Sequence, residues 1–160
     1  MRFRVALIVL SDRAASGERA DGCIAVMKEH LGDAYSIVRE SVLADEPAEL
    51  QAALIEIADS GAADLVLTSG GTGLSPRDRT PQATAAVVDY EVPGIVEAIR
   101  FESLAFTRTA MLSRAIAGVR DRTLIVNLPG SPKAVAESLD VILDALPHAL
   151  ELLNERGEHE

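Results

Sequence analysis

The feature that most limits how this chain can fold is a set of short apolar runs with almost no polar residue at alternate positions. Residues 5–10 read Val-Ala-Leu-Ile-Val-Leu, residues 65–67 read Leu-Val-Leu, and residues 123–128 read Thr-Leu-Ile-Val-Asn-Leu. A strand with one wet face alternates polar and apolar residues, so these runs must be covered on both faces. The stretches between them carry helical periodicity instead. Leu50, Ala53, Leu54, Ile57 and Ala58 repeat at i, i+3, i+4, i+7 and i+8, which is one face of an α-helix. Ile24, Met27 and Leu31 stripe a helix over residues 21–31, and Val135, Leu139, Ile142 and Leu146 stripe one last long helix. Buried strands alternating with amphipathic helices predict a three-layer α/β/α sandwich around a mostly parallel sheet. The reading is a single domain over residues 1–153 with a polar tail at 154–160.

Turn chemistry sets the remaining boundaries. Residues 35–43 alternate at Ile37, Arg39 and Ser41, as an edge strand would. The Ala44-Asp45-Glu46-Pro47 run opens a helix, with Pro in its first turn and acids at its positive end, and Gly61 stops it. A third strand occupies residues 64–68. Thr80 suits a helix cap and Pro81 the first helical position; Ser131 and Pro132 repeat that pair. Pro93-Gly94 interrupts the pattern, helical segments resume to about Ser113, and residues 115–119 read as a short extra strand.

In such sheets ligands bind beyond the carboxyl ends of the strands. Four segments leave those ends: Ser11-Asp12, Asp45, residues 69–78, and Pro129-Gly130-Ser131. They are remote in sequence, and this topology gathers them at one edge. Among them, Ser69-Gly70-Gly71-Thr72-Gly73 packs three glycines directly after a strand. Glycine lets backbone amides approach a ligand and line an anion-binding concavity, and Ser69 and Thr72 add hydroxyls. The same loop also reads as a tight connecting turn. It is not a P-loop, since no Lys-Ser/Thr follows its last glycine, and Pro76 stands where a dinucleotide fingerprint wants Gly or Ala. Asp78, between Arg77 and Arg79, either holds a magnesium ion or a substrate amine beside an arginine-bound phosphate, or is a salt-bridged cap. Asp45 has the same two readings. Arg114 and Lys133 are candidate phosphate partners. His30, His148 and His159 have no metal-ligand spacing and read as structural or surface residues, and Cys23 reads as packed.

Lys plus Arg number 15 against 25 Asp plus Glu, a formal charge of −10. That field repels polyanions and argues against nucleic acid, while leaving room for a small phosphorylated ligand held by local amides. A single cysteine, Cys23, permits neither an intrachain disulfide nor a thiolate zinc cluster. The first apolar run is too short to span a bilayer and no cleavage site follows it, so no membrane association and a cytoplasmic location are expected.

Thr68-Ser69-Gly70-Gly71-Thr72-Gly73, Pro76-Arg77-Asp78, Thr80-Pro81 and Ala83-Thr84 together resemble the molybdopterin-binding signature of the MogA/MoaB family, to which the G domain of gephyrin belongs. Met111-Leu112-Ser113-Arg114, Gly118-Val119-Arg120, Asn127-Leu128-Pro129-Gly130-Ser131 and Ala145-Leu146-Pro147-His148-Ala149 are similar to its later motifs, in the same order along essentially the whole chain. Many members have Ser-Gly or Lys-Gly after the aspartate of the first loop region, where this chain has Asp21-Gly22-Cys23.

The resemblance implies a homotrimer that transfers AMP from ATP to molybdopterin with Mg²⁺ as cofactor, releasing pyrophosphate. It also implies the molybdenum insertion enzyme of the same pathway as a partner. The family's two functional aspartates, catalytic and metal-binding, fall on Asp45 and Asp78. Ser11, Asp12, Ser69, Gly70, Gly71, Thr72, Gly73, Arg77 and Thr80 fall in the substrate-binding loops. Ser113, Arg114, Pro129, Gly130 and Ser131 would hold the pterin and its phosphate. A rival implication is a paralogue that binds molybdopterin without transferring AMP. Another is the related domain of competence-damage-type proteins, which usually carries a further domain.

Overall fold

In a computed structural model, which describes residues 2–155, six strands form one sheet. In chain order the elements are β1 (Phe3–Leu10), α1 (Asp12–Ala15), α2 (Cys23–Leu31), β2 (Tyr35–Leu43), α3 (Pro47–Asp59), β3 (Leu65–Ser69), α4 (Thr80–Val87), β4 (Tyr90–Glu91), α5 (Pro93–Ser103), β5 (Ala117–Arg120), β6 (Thr123–Leu128), α6 (Pro132–Ile142) and α7 (Leu146–Glu155), with 3-10 turns at Gly32–Ala34 and Arg108–Leu112. The strand order is β2-β1-β3-β6-β5-β4. The first four are parallel, and β5 runs antiparallel to both β6 and β4.

The period-two geometry of β1 explains the three layers. Val5, Leu7 and Val9 point to one face, where they join Met27 and Leu31 of α2, Leu139 of α6 and Leu150 of α7. Ala6, Ile8 and Leu10 point to the other, where they join Leu50, Leu54 and Ile57 of α3 and Ala83 of α4. Both faces of β1 are dry, as its unbroken apolar run requires.

Several expected boundaries shift for local reasons. The α2 helix begins at Cys23 rather than at 21: Gly22 takes the cap position, and the Asp21 carboxylate just before it accepts from the amides of Cys23 (2.8 Å) and Ile24 (3.1 Å). The single long C-terminal helix is two, α6 and α7. Leu146 keeps the phase of the apolar stripe across the break, which hides it from a periodicity argument. The extra strand is present two residues later, at Ala117–Arg120. The last helix continues through Asn154 and Glu155; the rest of the tail, with His159, lies outside the described residues. Ser131 does cap α6, accepting from the Ala134 amide at 3.2 Å.

The registers Val9↔Ser69, Ser69↔Leu128 and Leu10↔Leu43 align the carboxyl ends of β1, β2, β3 and β6. From β1 the chain goes to β2 on one side, and from β3 it goes to the β4–β6 side. The crevice between β1 and β3 is therefore a topological switch point, where doubly wound sheets bind ligands.

Candidate functional site

All four strand-end segments meet at that switch point. Ser11 donates its amide to Leu43 O (2.9 Å), Gly70 donates to Leu128 O (3.1 Å), and the Ser69 hydroxyl donates to Pro129 O (2.7 Å). Asp12 and Asp45 are joined reciprocally: the Asp12 amide donates to Asp45 Oδ2 (3.1 Å) and the Asp45 amide to Asp12 Oδ1 (2.9 Å).

The glycine loop is held at its base and open at its rim. The Thr80 hydroxyl donates to Gly70 O (2.9 Å), the Thr80 amide to Gly71 O (3.1 Å), and the Arg114 amide to Thr72 O (2.9 Å). A Cβ on Gly71 would overlap Thr80 Oγ1 and lie 3.3 Å from Asp45 Oδ1, so only glycine lets this backbone pass between the two. The amides of Gly71, Thr72, Gly73 and Leu74 donate to no protein acceptor among the described residues. Consecutive free amides are what an anion-binding loop needs.

A cavity lies on each side of this loop. One, of about 430 Å³, is bounded by Ser11, Arg19, Asp45, Gly70, Gly71 and Asp78 among others, with Cys23 and Gly130 in its wall. The other, of about 470 Å³, is bounded by Thr72, Gly73, Arg100, Ser113, Asn127 and Glu137, with Pro129 and Ser131 at its edge. Both sizes suit a cofactor-sized ligand. Asp45 and Asp78 thus border the same space. Two oxygen-donor carboxylates in one cleft fit a hard divalent cation such as magnesium, which keeps water and phosphate oxygens for the rest of its shell. No group of three or more His, Cys, Asp or Glu side chains is placed to hold a metal among the described residues, so a protein-only cage is absent there.

Four of the side chains singled out in the sequence have protein partners. Arg77 does not face either large cavity: its guanidinium forks onto Asp12 (3.0 and 2.9 Å) and reaches Glu46 (2.9 Å). Arg114 clasps the loop through Gly73 O (2.9 Å) and Asp78 O (2.6 Å) instead of lining a cavity. Thr80 is not a helix cap, because its hydroxyl is engaged by Gly70 O and Arg79 takes the cap position. The Ser69 hydroxyl donates to Pro129 O while Ser69 borders the carboxylate cavity. These groups shape the site from behind. Asp78 does not pair with its neighbouring arginines; its Oδ2 accepts the Ser75 amide at 3.2 Å and closes a turn. Lys133 contacts Glu137 at 3.8 Å and is otherwise exposed.

Sequence reasoning missed Arg19, the cation in the wall of the carboxylate cavity, and Asn127, Arg100 and Glu137 in the other. Asn127 carried the clearest signal, a polar residue inside an apolar strand. It is buried, donates to the Thr68 (2.9 Å) and Thr84 (3.0 Å) hydroxyls, and accepts the Ile116 amide at 3.2 Å.

The electrostatics set the two linked aspartates apart. Arg77 holds Asp12 below the ordinary carboxylate value, helped by the Asp45 amide. Burial pushes Asp45 up, and the charges of Asp12 and Asp78 add to that against the Asp12 amide and Arg77. A raised folded-state value means that the native state binds the proton more tightly than the unfolded chain. That contribution to stability is complete below about pH 3.9 and is lost as pH rises through the folded value. Ionised Asp45 therefore destabilises the ligand-free protein at neutral pH. Asp45→Asn is expected to raise the thermal midpoint at pH 7 and to have a much smaller effect near pH 4. Scanning calorimetry of both proteins at the two pH values checks this, and a lower midpoint for Asp45→Asn at pH 7 contradicts it.

A doubly wound α/β sheet with a free-amide glycine loop and two carboxylates at its switch point is an arrangement suited to binding a phosphorylated ligand. Residues 6–148 match the family described as a probable molybdopterin binding domain, and the chain belongs to it. A molybdopterin adenylyltransferase of Escherichia coli (strain K12) is 43% identical over 146 residues, covering 89% of this chain and 75% of that protein. One from Helicobacter pylori (strain ATCC 700392 / 26695) is 38% identical over 155 residues, covering 94% and 88% respectively. The crystal structure of the molybdopterin biosynthesis enzyme MoaB from Thermus thermophilus superposes with a TM-score of 0.91 at 46% identity, covering 96% of this chain and 98% of that one.

Proposed function

We propose that this protein is a molybdopterin adenylyltransferase of molybdenum cofactor biosynthesis, using Mg²⁺ and ATP. The observation that carries the reading is the loop of unpaired amides between two cavities, one of which holds both Asp45 and Asp78. Two substrates must meet across one reacting phosphate, and the loop is the partition at which they meet. The carboxylate cavity takes the nucleotide triphosphate, and the cavity toward β6 takes the pterin. A terminal phosphate oxygen of molybdopterin attacks the α-phosphorus of ATP. One P–O bond forms, the bond from the α-phosphorus to the bridging oxygen breaks, and pyrophosphate leaves with that electron pair. No side-chain nucleophile is needed, so positioning and charge neutralisation supply the catalysis.

Asp45 and Asp78 would hold the magnesium ion, which when bound neutralises phosphate charge. The amides of Gly71 to Gly73 steady the phosphate under attack, and Arg19 offsets charge on the departing group. Arg77 fixes Asp12, which fixes Asp45, so the metal-binding carboxylate is oriented by a chain of hydrogen bonds.

Phe101, Phe106 and Met111, 74%, 62% and 64% exposed, fit an assembly that covers them, which the family resemblance makes a homotrimer. No helix of the described residues is long and apolar enough to cross a membrane, and a cytoplasmic site of action fits the proposed pathway.

The test is pyrophosphate release with purified protein, ATP, Mg²⁺ and molybdopterin. The proposal requires pyrophosphate equal to adenylylated molybdopterin, with none released when the pterin or the metal is left out. Tight pterin binding without pyrophosphate would make the protein a binding module.

A further inference from the structure

The cavity toward β6 has one carboxylate among its lining residues, Glu137. Ser131, Ala134 and Glu137 are three residues apart at the start and along one side of α6, and all three border this cavity. The Glu137 side chain is only 19% exposed, yet its one charged contact is Lys133 Nζ at 3.8 Å, and that lysine is 85% exposed. Among the described residues no donor hydrogen-bonds its oxygens. A carboxylate in a cavity wall with no protein donor on its oxygens is free to accept the donors of a ligand.

The rest of the wall describes that ligand. Val96, Ile99 and Leu112 offer apolar surface for a flat ring, and Thr107, Thr109 and Ser113 offer hydroxyls. Arg100 is turned to the Ser113 (3.3 Å) and Ala115 (2.9 Å) carbonyls, so it does not neutralise Glu137. A planar heterocycle with two parallel N–H donors on one edge would meet a carboxylate as a fork, in the bidentate geometry that guanidinium groups use.

We propose that Glu137 accepts the N3–H and 2-amino donors of the bound pterin and thereby sets the preference of this cavity for a 2-amino-4-oxo heterocycle. The assignment rests on the reading that this cavity is the pterin site. It also sorts the two substrates. Adenine presents a ring-nitrogen acceptor beside its amino group, which repels a carboxylate, so ATP is turned away from this side of the loop. Guanine carries the same edge as a pterin and would compete.

The experiment measures equilibrium binding, by ligand fluorescence, of a 6-substituted pterin monophosphate and of its lumazine counterpart, which has a 2-oxo in place of the 2-amino group. The proteins are wild type, Glu137→Gln and Glu137→Asp. Wild type should prefer the pterin by about 10²-fold, because a site built around a donor rejects the analogue lacking it. Glu137→Gln should reduce that preference to within about threefold, since an amide presents one acceptor and one donor. Glu137→Asp should keep part of it. Magnesium–ATP affinity and the thermal midpoint of Glu137→Gln should stay at wild-type values, which separates edge recognition from a packing role. Equal binding of the two probes by wild type, or a preference that survives in Glu137→Gln, overturns the assignment while leaving the adenylyltransferase reading intact. Binding of neither probe, nor of molybdopterin itself, overturns both.

Discussion

Asp78→Asn is expected to lower adenylyl transfer by at least about 10²-fold, in kcat and in kcat/KM alike, while molybdopterin affinity changes by no more than about threefold. The substitution keeps the shape of the side chain and an oxygen that can still accept the Ser75 amide, so the turn at residues 75–78 survives. It removes a negative charge from the cavity that also holds Asp45. An interaction made mainly as charge develops on the phosphates lowers the rate without weakening a ground-state ligand in the other cavity. Single-turnover pyrophosphate release, paired with pterin binding, separates the two quantities. A variant with wild-type turnover would remove Asp78 from the mechanism, and equal losses in turnover and pterin affinity would mean that it organises the whole crevice.

Gly70→Ala is expected to cost about 2–4 kcal/mol of folding stability and to abolish transfer. Gly70 has φ +101, a conformation that side-chain-bearing residues rarely adopt, and a Cβ there would run into the Leu10 carbonyl oxygen at the end of β1. Strained backbone costs about 1–3 kcal/mol and overpacking a similar amount. Relief requires β1 and β3 to separate at their carboxyl ends, which opens the crevice in which the loop, Ser11 and Asp45 meet. Gly94 offers the contrast: a methyl added there would meet no atom within 4 Å, and its φ is not positive, so Gly94→Ala should be close to neutral. Urea unfolding of both variants measures the difference. Wild-type stability in Gly70→Ala would mean that the loop does not depend on that close approach.

The layers of this fold were legible because β1, β3 and β6 are dry on both faces and their residues leave no other arrangement. The helices were legible where one stripe faces the sheet, as in α3. Periodicity failed where phase is conserved across a break, at Leu146 between α6 and α7, and where an element is too short to have a period, as in β4 and α1. The convergence of Asp45, Asp78 and the glycine loop followed from topology, since parallel strands place their exits on one edge. Partner choice did not follow. Arg77 and Arg114 look like phosphate ligands in the sequence, but Arg77 bonds Asp12 and Glu46, and Arg114 bonds Gly73 and Asp78 carbonyls. A guanidinium takes whichever acceptors the fold brings within reach, and those lie far away in the chain. Glu137 and Arg19 gave no signal because a lone charge on a helix or in a polar loop is most often solvated.

The most direct test is a crystal structure of the protein with molybdopterin, a non-hydrolysable ATP analogue and Mn²⁺ in place of Mg²⁺. We expect an anomalous peak between the Asp45 and Asp78 carboxylates, nucleotide phosphates against the Gly71 to Gly73 amides, and the pterin ring in the cavity bordered by Glu137. A metal bound away from both aspartates, or nucleotide and pterin occupying the same side of the loop, would contradict it.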